Sequence, residues 1–410
     1  MRKAAHCLGY YNCFIIKPRL PSRLSRRKGF ALAQTDLVPQ HGSPAAPRGP
    51  GQRLVPAVCD VSVTNMCNAT CNFCSYAHDK GIVKDRRWVD RDKLREAMAI
   101  LHRRGVRYIN YQGGEPLLHP KIDLMVSDAR ANGLQPAMIT NGWLLPEKIE
   151  RVVKAGLGTL LVSLDSDSVA KHEGNRGLKG VCERIRKGVQ VARDNGVTTI
   201  SVVTVNHLVN FENLPELLKD LGFDAVSFSY PRKEPFGSSS LVYSDDCDLV
   251  DYTPDQLIAA MESIKVLKSK FPVMNPSASL EDVKRSARGE EQLIGCVGGR
   301  KYFYLDWNLQ IWRCEAWHEP LGSVFDLDTI PDRRDRCTAC IQNCYRDTSV
   351  LMHAGVAMGD ALNAAGSGQL GKAASALFQR GVATSLGAVI EEAGIIRRLA
   401  RAKPKQAANA

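Results

Sequence analysis

The chain has 410 residues, 13 cysteines and a formal charge of +12, and residues 1–57 carry ten Lys or Arg against the single acid Asp36. Five more basic residues and no acid lie from Arg397 onward, so the body is nearly neutral and we expect no nucleic-acid partner. Disulfide-dense secreted domains are usually shorter than about 100 residues, and no run approaches the roughly 18 apolar residues of a membrane span, so the cysteines indicate metal or cluster ligation in a cytoplasmic protein.

Residues 1–56 combine Pro, Gly, Arg and Ser without helix or strand periodicity. This composition predicts a disordered basic extension. A transit peptide, an over-long start and an interaction arm all fit it, so we assign it no function.

Strand-like and helix-like segments alternate from residue 57 to about 275. Strands are predicted at 58–63, 106–111, 134–139, 159–164, 198–205 and 224–229, each followed by a helix, the sixth at about 254–270. Six such units predict an α/β fold, a partial (β/α)6 barrel of parallel strands with the helices outside. In such barrels the chemistry collects at the carboxyl ends of the strands.

The first strand leads into three cysteines at C-x3-C-x2-C spacing, Cys67, Cys71 and Cys74. A structural zinc site takes four ligands and would need His78 or a distant cysteine as the fourth. A 4Fe-4S cluster held by three cysteines instead leaves one iron open to a small chelating molecule.

A Gly-Gly-Glu-Pro turn follows the second strand, and paired glycines allow a ligand to come close to the backbone. Together with the cysteine loop it resembles the radical S-adenosylmethionine (SAM) superfamily. The resemblance implies that Cys67, Cys71 and Cys74 hold a 4Fe-4S cluster whose open iron binds SAM. It also implies that Phe73 packs near the adenine.

The same resemblance implies further SAM contacts at the strand ends. Backbone carbonyls near Gly113 and Gly114 would receive the methionine amino group, and Glu115 would point at that ammonium or brace the loop. Ser163 resembles the residue that holds the SAM ribose or carboxylate, and Arg176 resembles a carboxylate-pairing arginine. The alternatives are a hydroxyl facing a neighbouring strand for Ser163 and a solvated loop charge for Arg176. No catalytic side chain is assigned.

A second group of cysteines lies within 290–350, namely Cys296, Cys314, Cys337, Cys340 and Cys344. Residues 302–305 and 311–312 predict a hairpin that brings the first two together, and Cys337 and Cys340 form a chelating pair on one turn. These four thiolates would close a site without Cys344. A structural zinc ribbon is the alternative.

This group resembles the auxiliary-cluster module called Twitch, the shorter relative of the SPASM domain. A full SPASM domain supplies more cysteines than the five present here, so the resemblance implies one auxiliary 4Fe-4S cluster. The glycine usually found five residues before the second cysteine is Leu309, which puts the hairpin turn in doubt.

Residues 354–400 predict Ala-rich helices that pack on the body as a helical tail. An amphipathic segment that contacts a membrane surface as a peripheral partner, ending in Arg397, Arg398 and Arg401, is the alternative.

The resemblance implies an enzyme that reductively cleaves SAM to a 5'-deoxyadenosyl radical and abstracts hydrogen from a small-molecule or lipid substrate. The auxiliary cluster would transfer electrons, and a flavodoxin or ferredoxin would donate them. The run that begins at Gly113 also resembles radical SAM enzymes of hopanoid lipid synthesis. The sequence predicts no separate leader-peptide-binding domain, which favours a lipid or another small molecule over a ribosomal peptide. The alternatives are a maturase that modifies a ribosomal peptide or protein, and a non-enzymatic iron-sulfur or zinc-binding protein.

Overall fold

The structure, a computed structural model, describes residues 54–78, 85–230 and 247–402. Residues 1–53 of the predicted basic extension lie outside the described residues. No helix in the described part of the chain combines the length and apolarity needed to cross a membrane.

Nine strands within the described ranges form one sheet, in the order β6-β5-β4-β3-β2-β1-β7-β8-β9. The first six are β1 Ala57–Ser62, β2 Val106–Gln112, β3 Gln135–Thr140, β4 Thr159–Leu164, β5 Thr198–Thr204 and β6 Ala225–Ser229. Each of these strands pairs in parallel with the next. The predicted α/β fold with a parallel sheet is confirmed.

The helices around these strands are α1 Ser75–His78, α2 Arg91–Arg103, α3 Ile122–Ala131, α4 Leu145–Lys154, α5 Val169–Arg176, α6 Val181–Asp194, α7 Leu214–Asp220, α8 Pro254–Leu267 and α9 Ser277–Ala287. Those other than α1 and α5 pack on the outer face of the strands. Three of the helices, α1, α5 and α9, were not predicted from the sequence. The eight residues of α5 include Gly174 and polar side chains but no clear apolar stripe, and the helix ends at Gly177 in the left-handed conformation.

Side chains alternate between two faces along each strand. Cys59 and Val61 pack with the helices, whereas Val58 packs inside the barrel with Tyr302 of β7. The interior of the barrel is called the lumen below.

The cysteine-rich hairpin continues the barrel sheet instead of forming a sheet of its own. It comprises β7 Tyr302–Leu305, β8 Gln310–Trp312 and the short β9 Gly322–Ser323. Strand β7 pairs in parallel with β1, and β8 pairs antiparallel with β7. The barrel and the cysteine-rich segment are therefore joined by backbone hydrogen bonds.

Leu309 takes the conformation that a glycine would take at the hairpin turn. Its φ is 61°, in the left-handed region that leucine rarely adopts. The Asp306 carboxylate holds the turn by accepting hydrogen bonds from Asn308 N at 2.8 Å, Gln310 N at 3.0 Å and Trp312 Nε1 at 2.9 Å. These bonds offset the strain, so the hairpin forms without glycine.

Three helices follow the hairpin: α10 Asn343–Gly366, α11 Leu370–Leu377 and α12 Val382–Ala402. The first starts well before residue 354, where the helical tail was expected. It is tied to β6 through Asn343 Nδ2, which donates to Phe228 O at 2.6 Å. The segment before α9 also runs along β6, with Met274 N donating to Val226 O at 2.8 Å. The outer edge of β6 is thus covered.

Asn275 connects that segment to both β6 and α10. Its side chain accepts from Phe228 N at 2.7 Å and donates to Phe228 O and to Asp347 Oδ2, both at 3.0 Å. We expect Asn275→Ala to lower the free energy of unfolding by about 1–3 kcal/mol, because it leaves buried groups without partners. Anaerobic denaturant titration checks this, with the exposed Asn195→Ala as the control. Equal midpoints for the two variants would contradict the role of Asn275.

Candidate active site and cysteine centres

The cysteine loop lies against the Gly-Gly-Glu-Pro turn through direct backbone contacts. Gly114 N donates to Thr64 O at 2.9 Å, and Glu115 N donates to Met66 O at 2.7 Å. A Cβ on Gly113 would lie 2.3 Å from Thr64 O, and one on Gly114 would lie 2.1 Å from Met66 O. The sequence interpretation placed a ligand against these glycines. In the structure these glycines leave room for the backbone of Thr64 and Met66, which leads into Cys67.

The other side of the cysteine loop rests on α5. Thr70 N donates to Arg176 O at 2.9 Å, and Asn72 N donates to Asn175 O at 3.2 Å. A Cβ on Gly177 would lie 2.0 Å from Thr70 Oγ1. The loop is therefore held between the turn after β2 and the end of α5.

A cavity with about 680 Å³ of empty space, its open mouth included, lies beside the cysteine loop. All nine residues predicted for the first cluster and for SAM line it, namely Cys67, Cys71, Phe73, Cys74, Gly113, Gly114, Glu115, Ser163 and Arg176. Six lining residues were not assigned from the sequence, namely Tyr76, Ile139, Thr140, Asn141, Val202 and Thr204. The carboxyl ends of β2 to β5 thus meet at one cavity.

Glu115 braces this end of the barrel. Its Oε1 accepts from Leu117 N at 2.9 Å and from Thr140 Oγ1 at 2.7 Å, and its Oε2 accepts from Asn141 N at 2.7 Å. Burial raises the pKa of Glu115, although the hydrogen bonds from Asn141, Thr140 and Leu117 act in the opposite direction. The carboxyl group links the turn after β2 to the turn after β3.

Asn141 reaches the cysteine loop from the end of β3. Its Nδ2 donates to Asn68 Oδ1 at 2.8 Å and lies 3.8 Å from Cys67 Sγ. A Thr-Asn-Gly run is typical of ordinary turns, so the only signal in the sequence was its position after a predicted strand.

Arg176 is buried at the end of α5 and forms a bidentate ion pair. Its Nε and Nη2 lie 2.6 and 2.7 Å from the two carboxylate oxygens of Asp165, which also accepts from Asn175 Nδ2 at 2.9 Å. Burial alone would raise the pKa of Asp165, but Arg176 holds it below its usual value. Burial lowers the pKa of the adjacent His172 to about 4, so this imidazole is neutral at pH 7. The Arg176 guanidinium is therefore buried and paired with Asp165, unlike the solvated loop charge that the sequence left as an alternative.

Four of the later cysteines, Cys296, Cys314, Cys337 and Cys340, are brought close together at the base of the hairpin. Cys296 N donates to Cys337 O at 2.9 Å, and Cys296 Sγ accepts from Gly298 N at 3.2 Å. Burial and then the neighbouring Cys296 thiol raise the pKa of Cys340 to about 12. Burial and then Cys340 and Cys296 raise the pKa of Cys314 as well.

Cys344 lies in the first turn of α10 and is fully buried. It belongs to the same apolar cluster of the lumen as Tyr302 and Tyr345, against which Cys296 and Cys314 also pack.

Within residues 54–78, 85–230 and 247–402, no three His, Cys, Asp or Glu side chains converge on a point where one metal ion could sit. A tetrahedral zinc site requires such convergence. In a four-iron cluster each thiolate binds a different iron, so the cysteines need not meet at one point.

Residues 61–226 match the family model described as the radical SAM superfamily. The chain contains a radical SAM domain. Proteins of this superfamily bind a 4Fe-4S cluster together with SAM, and such a domain indicates an enzyme. The auxiliary module and the individual ligands stay predictions.

Two curated relatives are also radical SAM enzymes. GTP 3',8-cyclase of Helicobacter pylori (strain HPAG1) is 32% identical over 151 residues, which cover 36% of this chain and 47% of the relative. AdoMet-dependent heme synthase of Methanosarcina barkeri (strain Fusaro / DSM 804) is 28% identical over 261 residues, which cover 59% of this chain and 72% of the relative. The match thus spans about half the length of the cyclase.

Two solved structures show the same fold. SuiB of Streptococcus suis bound to S-adenosylmethionine has a TM-score of 0.50 at 15% identity, covering 63% of this radical SAM chain and 60% of SuiB. The protein anSMEcpe with bound AdoMet has a TM-score of 0.50 at 14% identity, covering 85% and 100% of the two chains.

Gly114→Ala should break the contact that positions the cysteine loop, because the new Cβ would overlap Met66 O. We expect iron binding at the first site to weaken by roughly 10–100-fold, the range seen when groups that orient metal ligands are removed. Iron titration of the reconstituted protein measures this. Gly174→Ala is the matched control, since a Cβ there meets nothing within 4 Å. A parent-like iron affinity for Gly114→Ala would show that the contact is dispensable.

Proposed function

We propose that this enzyme abstracts a hydrogen atom from a small-molecule or lipid substrate and passes an electron from the substrate to an auxiliary 4Fe-4S cluster. The observation that carries the proposal is the arrangement of the two cysteine sets. One opens onto the cavity at the strand ends, and the other lies at the base of a hairpin that pairs directly with β1.

In this proposal Cys67, Cys71 and Cys74 hold the first cluster, and Cys296, Cys314, Cys337 and Cys340 hold the auxiliary one. When bound and reduced by one electron from a flavodoxin or ferredoxin, the first cluster would supply the reductive cleavage of SAM to methionine and a 5'-deoxyadenosyl radical, and the radical would become 5'-deoxyadenosine by taking a hydrogen atom.

The protein's own residues orient SAM and shield the reaction from water. Gly113 and Gly114 fix the cysteine loop, so its three thiols keep their places beside the cavity. Glu115 ties the turns after β2 and β3 together through Thr140 and Asn141. Phe73 is buried and forms part of the apolar wall of the cavity. A rigid, largely apolar wall limits side reactions of a reactive species.

Substitution of one cysteine in each set tests the division of labour. Cys71→Ala should abolish formation of 5'-deoxyadenosine from SAM and dithionite and remove about half of the iron. Cys340→Ala should lose a similar share of iron but still cleave SAM, because its thiol lies in the other set. Chromatography of the nucleoside and iron counting measure both effects.

Cys182→Ala serves as the control, since this thiol is buried in α6. If Cys71→Ala produced 5'-deoxyadenosine at the parent's rate, the first cluster would be assigned to the wrong residues. If only Cys340→Ala lost SAM cleavage, the second cysteine set, and not the first, would hold the cluster that cleaves SAM.

We also propose that α11 and α12 contact a membrane surface peripherally. Leu370, Phe378 and Ile390 are 70%, 88% and 73% exposed. Two acids of α12 are engaged with the protein, since Glu391 Oε1 lies 2.6 Å from Lys268 Nζ and Glu392 is buried. Exposed apolar side chains together with exposed Arg397, Arg398 and Arg401 suit an anionic bilayer.

Flotation with vesicles of phosphatidylglycerol and phosphatidylcholine tests this contact. Phe378→Ser should reduce the bound fraction about threefold or more, since one buried aromatic side chain contributes roughly 1.5–3 kcal/mol. Leu124→Ser, at a 42% exposed position on α3, is the control. No binding by the parent chain, or equal binding by both variants, would contradict the proposal.

A further inference from the structure

The lumen changes from apolar to polar along its strands. On β6, Ala225 faces the lumen, and the alternation of side chains places Ser227 and Ser229 on the same face. On β1, Val58 faces the lumen, and so do Asp60 and Ser62. The polar half is the half nearest the carboxyl ends of the strands, where the cavity lies. Ser163 and Thr204 already line that cavity from β4 and β5.

Two buried carboxyl groups, those of Asp60 and Glu315, lie in this polar half. Asp60 accepts hydrogen bonds from Tyr302 Oη at 2.7 Å and from Asn110 Nδ2 at 3.1 Å. Glu315 accepts from Gln112 Nε2 at 2.8 Å and from Gln342 Nε2 at 2.5 Å. All four of these donors are neutral. Two carboxyl groups buried close together disfavour each other's charge, and burial followed by Glu315 raises the pKa of Asp60 to about 8.

Four hydroxyl groups of the lumen, those of Ser62, Ser227, Ser229 and Tyr345, lack a hydrogen-bond partner in the part of the chain that the structure describes. Each of the four residues is at least 98% buried. A buried hydroxyl without a partner costs about 1–3 kcal/mol. Several at one end of a barrel indicate polar groups of a ligand that would satisfy them.

Glu315 links the polar half of the lumen to the second cysteine set. It directly follows Cys314 in the chain, and its carboxyl group accepts from Gln112 at the end of β2.

We infer that the polar half of the lumen is the substrate site, and that it takes a compound whose hydroxyl or ammonium groups donate to Asp60 and Glu315. This inference rests on the proposed function and narrows its substrate to polyhydroxylated or amino compounds. A hydrocarbon chain would leave the four hydroxyls without hydrogen-bond partners.

Deuterium transfer to 5'-deoxyadenosine tests the inference in the reconstituted full chain with SAM and dithionite. The probes are perdeuterated glucosamine and perdeuterated myo-inositol, with perdeuterated dodecanoate as the apolar comparison. The measured quantity is the fraction of 5'-deoxyadenosine that carries deuterium, which does not depend on the amount of active enzyme. We expect label from at least one polar probe and none from dodecanoate.

Three variants locate the site. Asp60→Asn keeps the size of the side chain and should reduce the labelled fraction about tenfold, because the amide replaces one accepting oxygen with a donor and so removes one hydrogen bond to the substrate. Ser229→Ala should reduce it several-fold. If the Ser229 hydroxyl had only a structural role, its removal would leave the labelled fraction unchanged, because it has no protein partner in the described chain. Asp92→Asn, on the exposed surface of α2, is the control and should match the parent.

Label from dodecanoate, no label from either polar probe, or parent-like fractions in both Asp60→Asn and Ser229→Ala would each overturn the inference. Failure of the proposed function looks different, since the parent would then form no 5'-deoxyadenosine with any probe.

Discussion

The structure depends on a close backbone contact between the cysteine loop and the turn after β2. Gly113 and Gly114 lie so near Thr64 and Met66 that any Cβ would overlap a carbonyl oxygen. Two backbone hydrogen bonds across this contact hold the segment before Cys67. The loop that carries the three thiols is therefore held in a fixed position relative to the barrel. The cavity, its bracing carboxyl group and the ion pair at α5 are arranged around that loop.

Much of the barrel could be predicted from the sequence, because strands buried on both faces leave apolar runs at regular spacing. The helix α5 could not, since eight mostly polar residues carry too little periodicity. The pairing of β7 with β1 was also missed. Parallel pairing between distant segments leaves no local pattern, and the hairpin therefore looked like a separate module.

The spacing of Cys67, Cys71 and Cys74 predicted that they share one site, and all three line one cavity, whereas the polar lumen could not be predicted. Asp60 lies in the middle of a short apolar strand, and Glu315 directly follows Cys314, which was assigned as a cluster ligand while its neighbour was not considered. Their importance comes from burial and from neighbours that are distant in the chain, such as Tyr302 and Gln112. A buried polar network is a property of the folded barrel, and no short motif encodes it.

The pairing of β7 with β1 also has a consequence for how the chain is made. During synthesis β1 emerges early and can pair with β2, but its other edge stays open until β7 leaves the ribosome much later. An open apolar edge strand is prone to pair with other chains. Until β7 emerges, β1 therefore presents an open edge to other chains, and a chain truncated before the hairpin would present that edge permanently.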